Sequence, residues 1–143
     1  MEAPAHMDGG DVLVTGSEIL MGLSKRTNAQ GVAFVQKVFP DRKVRGIVLE
    51  EGLHLKSVIS ALDESTIIIA DNPSGRKIAD SIKTQDSGYT FVFVPDTVSA
   101  NVLRVHNNVI IQKGFAESES ILAKEVTDRG LTLHSIGMSE LIK

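Results

Sequence analysis

Asp8, Arg26 and His54 stand in three short blocks, Met7-Asp8-Gly9-Gly10-Asp11, Leu23-Ser24-Lys25-Arg26-Thr27-Asn28 and Gly52-Leu53-His54-Leu55-Lys56-Ser57. An acid, an arginine and a histidine together can do proton chemistry on a charged small molecule. A histidine exchanges protons near neutral pH, and a carboxylate beside it can hold the ring and stabilise its charged form. An arginine fork donates two parallel hydrogen bonds to a carboxylate. Each residue also has a plain structural use. Asp8, ahead of two glycines, suits a turn, and Asp11 hydrogen-bonds the same tight turn. Arg26 reads as a surface charge beside Lys25 at a helix entry, and His54 as a half-buried residue opening a strand. His6, His106 and His134 lack metal-ligand spacing and a carboxylate cluster, so no metal is expected. The chain has no cysteine, which excludes disulfides, thiolate metal sites and thiol catalysis within it. It has no Gly-Lys-Ser/Thr phosphate loop either, so no nucleotide cofactor is expected.

Positioning these groups requires a folded unit, and the composition supplies one. At 143 residues, 42% apolar content and a net charge of -3, the chain is long enough for one ordinary domain. The N-terminus has neither a basic n-region nor an apolar h-region, and no stretch approaches a membrane span. A soluble cytoplasmic protein is expected, with a mitochondrial location left open. The mild acidity and the small basic clusters Lys25-Arg26 and Arg42, Lys43 and Arg45 argue against nucleic-acid binding.

Turn signals and periodicity divide the chain into a repeated β-β-α-β unit. The first has apolar runs at 12–15 and 19–23, a helix, and a strand at 44–49. Thr27-Asn28-Ala29-Gln30 offers a capping box, Val32, Val35 and Phe39 share a helix face, and Pro40 ends the helix. The second has strands at 58–62 and 66–69 about the turn Asp63-Glu64-Ser65, a helix opened by Asn72 as N-cap with Pro73 behind it, and a strand at 89–94. The third places the hairpin turn at Asn107-Asn108 between strands at 102–105 and 109–111. Its helix carries Glu117 and Glu119 early and Lys124 and Arg129 late, is closed by Gly130, and precedes a strand at 131–136. Helices recurring about every 45 residues point to a propeller or array, and the rival is a single α/β domain with accidental spacing.

The blocks MDGGDVLVTG, MGLSKRTN and GLHLKS, with VPDTVSANVL and GMSELIK, resemble the dimethylarginine dimethylaminohydrolases of the pentein superfamily, across nearly the whole chain. The resemblance implies an α/β propeller of ββαβ modules, here an incomplete arc of about three (approximately 8–50, 54–95 and 98–137), with 138–143 starting the next strand. It implies an activity as well: hydrolysis of methylated arginine to citrulline and methylamines, relevant to arginine metabolism and nitric oxide regulation, with no cofactor.

The same resemblance distributes the roles. His54 matches the general acid that later activates water, Asp8 the carboxylate that supports it, and Arg26 the group that grips the substrate's α-carboxylate. The nucleophilic cysteine would fall a few residues beyond Lys143, and the acids that bind the guanidinium belong to the family's N-terminal half. The chain alone is therefore expected to be inactive. Arginine deiminases carry an aspartate two positions after the histidine; Lys56 stands there and favours the dimethylarginine branch over an arginine deiminase. The alternatives are a noncatalytic pentein-like binding module and a scaffold. The exposed edges of an arc are a route to self-association.

Overall fold

In the computed structural model, which describes residues 3–50, 54–83 and 88–138, runs of β-branched residues form nine strands in three three-stranded sheets, and each sheet is built in the same order. The first comprises β1 (Val12–Val14), β2 (Glu18–Leu23), helix α1 (Ala29–Val38) and β3 (Lys43–Val48). The second comprises β4 (Ile59–Ala61), β5 (Thr66–Ala70), α2 (Pro73–Lys83) and β6 (Thr90–Val94). The third comprises β7 (Leu103–Val105), β8 (Asn108–Gln112), α3 (Ala116–Asp128) and β9 (Thr132–Ile136). In every sheet the first pair is antiparallel and the second parallel. The helix is the crossover that a parallel pair requires.

The core centres on the middle sheet. Ile67, Ile68, Ile69 and Ala70 of β5 are buried on both faces, the continuous apolar pattern of a covered parallel strand. Ile78, Ala79 and Ile82 of α2 join them, and the same cluster takes in Leu13 and Leu20 from the first sheet and Val109 and Ile111 from the third. Polar ties also bridge the sheets. Buried Arg45 pairs with buried Glu18 and donates from Nη1 to the Ile82 carbonyl at 3.2 Å, at the end of α2. Arg129, after α3, reaches Asp63 before β5 at 3.0 Å. The Tyr89 hydroxyl meets Thr15 Oγ1 at 2.5 Å and Ser17 Oγ at 2.9 Å.

Local details differ from the sequence expectations. Helix α1 is capped by Asn28, whose Oδ1 accepts the Gly31 N–H at 2.8 Å. Thr27 is fully buried and spends its hydroxyl on Asp11 instead, while Gln30 is exposed. Val35 is buried with Val32 packed beside it, but Phe39 sits past the helix end and is half exposed. The third hairpin turns at His106-Asn107, His106 taking a left-handed φ of 53°, and Asn108 belongs to β8. Asn72 does cap α2, accepting the Gly75 N–H at 2.8 Å. Of residues 138–143, expected to start a further strand, Met138 lies in no strand and 139–143 lie outside the described residues. Among the described residues no helix is long and apolar enough to cross a membrane.

Candidate functional site

Two short 3-10 turns, Gly9–Asp11 before β1 and Leu55–Ser57 before β4, bring the acid and the histidine together. Asp8 caps the first turn, its Oδ1 accepting the Gly10 N–H at 2.8 Å. His54 caps the second; it does not open a strand. Gly10 lies between them. A Cβ built there would stand 3.1 Å from His54 Cγ and Nδ1 and 3.2 Å from Asp8 Oδ1. A side chain there would push the ring or the carboxylate back by a few tenths of an ångström. Arg26 approaches from the 24–27 turn, its Nη1 3.5 Å from Asp8 Oδ2. Arg26 is 68% exposed, Asp8 34% and His54 30%, so all three side chains meet solvent.

The carboxylate hydrogen-bonded to the imidazole is Asp11, not Asp8. His54 Nδ1 lies 3.2 Å from Asp11 Oδ1, which also accepts the Leu55 N–H at 3.0 Å. Asp11 Oδ2 accepts from Ser24 Oγ at 2.7 Å and Thr27 Oγ1 at 2.8 Å. With Nδ1 donating to a carboxylate, Nε2 is left for a ligand. Ser24 Oγ in turn accepts the Arg26 N–H at 3.0 Å, and Thr27 Oγ1 accepts the Asp8 N–H at 3.0 Å.

Both acids are held ionised. The Gly10 N–H lowers the Asp8 pKa, burial opposes it, and the nearby His54 and Arg26 lower it further. At Asp11 burial raises the pKa, but the hydrogen bonds from Ser24, Thr27, Leu55 and His54 outweigh it and leave the group below its ordinary value. The remaining histidines lie elsewhere: His6 beside Pro4 and Asn28, His106 in the third hairpin turn and His134 against Asn108. Among the described residues no group of His, Asp and Glu is arranged to hold a metal ion. Lys56 is exposed on the turn beside His54.

Comparison with known proteins adds the lineage. The arginine deiminase family model matches residues 2–143. The chain belongs to the arginine deiminase family. Among family relatives, the dimethylarginine dimethylaminohydrolase of Pseudomonas aeruginosa is 27% identical over 128 residues, covering 87% of this chain and 48% of that protein. The enzyme of the same name from Streptomyces coelicolor is 39% identical over 77 residues, covering 50% of this chain and 30% of its own. The fold matches a solved structure of the Pseudomonas enzyme, a cysteine-to-serine mutant complexed with citrulline, with a TM-score of 0.73, at 24% identity, covering 100% of this chain and 53% of that one. This family member thus spans about half the length of the relatives it matches.

Proposed function

We propose that this chain supplies the general acid, its carboxylate support and the substrate clamp of a hydrolase that converts Nω-methylated arginines to citrulline and methylamines. The observation that carries the proposal is the approach of His54 and Asp8 to Gly10, with Arg26 reaching Asp8 from the other side of that carboxylate. The guanidinium carbon is cationic and resonance-stabilised, and its leaving group is poor. A thiolate must attack it, and the departing amine must receive a proton. His54 Nε2, left free by the Nδ1 bond, donates that proton and then takes one from the water that resolves the covalent thiouronium. Arg26 grips the substrate α-carboxylate, and Asp8 stabilises the charged imidazole beside it. The sequence contains no cysteine, so the thiolate comes from outside these residues. The three sheets are read as modules of a pentein-type α/β propeller, for which their shared strand and helix order is the support. Lys56 after His54 favours methylated arginine over arginine itself as substrate.

A chimera tests the proposal. This chain replaces the matching segment of the Pseudomonas enzyme, and citrulline release from dimethylarginine is assayed. Activity in the chimera, lost by about a thousandfold or more on His54→Gly and with KM raised on Arg26→Ala, is the expected result. The chain alone should release no citrulline. Activity indifferent to His54→Gly would overturn the assignment. The second reading, a binding or scaffold module, draws on Leu103, Val105 and Ile136, apolar residues exposed on the third sheet.

A further inference from the structure

We infer that Asp11 is the positioning residue of the whole site, a single buried carboxylate from which His54, Arg26 and Asp8 are all hung. The inference rests on the roles proposed above for those three residues. Asp11 is fully buried, and each of its oxygens serves two donors. Oδ1 holds His54 twice, through the ring Nδ1 and through the N–H of the following Leu55, fixing both the ring and the turn that carries it. Oδ2 holds the segment before α1 twice, through the Ser24 and Thr27 hydroxyls. Each hydroxyl passes the constraint on: Ser24 Oγ receives the Arg26 N–H, and Thr27 Oγ1 receives the Asp8 N–H. An ionised carboxylate offers four lone-pair directions and no donor. All four are taken, and the hydroxyls are thereby compelled to point their protons inward and their lone pairs toward Arg26 and Asp8. A free neutral histidine side chain in water favours the Nε2–H tautomer and no fixed orientation; here the carboxylate selects the Nδ1–H form and turns Nε2 outward. The arrangement is thus a register between a turn near residue 10, a turn near residue 26 and a turn near residue 54.

Nitrogen-15 spectra of the chain, recorded without substrate and with the imidazole neutral, test this. Wild-type His54 is expected in the Nδ1–H tautomer. Asp11→Ala should lose that signature in favour of Nε2–H and shift the Arg26 and Asp8 amides together. Ser24→Ala should shift the Arg26 amide, and Thr27→Val the Asp8 amide, each leaving the His54 tautomer in place. Unfolding would also return the ring to Nε2–H, so the switch is read in a variant whose dispersed amide spectrum shows the fold retained. An Nε2–H wild-type ring, or an Nδ1–H ring retained in Asp11→Ala, would overturn the inference. Should Asp11→Ala fail to fold, the wild-type tautomer and the two single-arm variants decide: unmoved Arg26 and Asp8 amides count against it. Because no turnover is measured, this result and that of the chimera can fail separately.

Discussion

Gly10 is where the ring of His54 and the carboxylate of Asp8 share a wall, and a methyl group there must displace one of them. The groups it meets are side-chain atoms, and the His54 ring is partly exposed and can swing outward. Gly10→Ala should therefore cost only about 1 kcal/mol of stability, while moving the ring away from Asp11. Urea unfolding paired with His54 ring resonances reads both, and unmoved resonances would refute the tight approach. This separation of stability from site geometry marks a residue whose place in the sequence is legible and whose partners are not. The Asp8, Arg26 and His54 blocks stand out in one dimension because their residue types are suited to chemistry. Asp11 reads as a turn former, since nothing local reveals that Leu55, 44 residues on, and Ser24 and Thr27 donate to it. The one available signal was the pair of hydroxyls flanking Arg26, which a surface turn would not need.

Helix α2 shows how an element's start is written in the chain. Asn72 caps it, Pro73 opens it, and Gly75 lets its first turn press on the end of β5: a Cβ at Gly75 would overlap the Ala70 carbonyl oxygen. Backbone cannot rotate aside, so Gly75→Ala should cost about 3 kcal/mol, against about 1 kcal/mol for Asn72→Ala. Chemical denaturation of both variants checks the order; equal losses would mean that the helix is free to back away. Strand positions were legible because β-branched runs between turn residues can do little else. Cap and turn details were less so. Thr27 and Asn28 are both good caps, and the choice fell to Asn28 because the Thr27 hydroxyl was claimed by Asp11. The third hairpin tightened at His106 rather than Asn108 because Asn108 is paired with Val105 and with Thr132 of β9.

Across the molecule, ionised carboxylates lock sheets and turns to one another, and acid should undo them together. Asp11 and Asp63 both sit below their ordinary pKa: burial raises each, and hydrogen bonds, from Ser24 and Thr27 in one case and from Ser65, Thr66 and Arg129 in the other, outweigh it. A depressed carboxyl contributes its full stabilisation above the unfolded value, about 3.9. Below it the unfolded chain binds protons first, and stability falls until the folded groups protonate too. The urea midpoint should hold steady from neutral pH to about 5 and drop below about 4, less steeply in Asp63→Asn. A midpoint unchanged across that range would dissociate these acids from the fold. The joint between the first and second sheets carries a further property. Tyr89 is the chain's one tyrosine, there is no tryptophan, and its hydroxyl is shared between Thr15 and Ser17 across that joint. The protein's near-ultraviolet absorption and emission therefore come chiefly from a single hydroxyl-bearing ring seated at a seam, so its native fluorescence is an unlabelled optical gauge of whether the first two sheets remain docked.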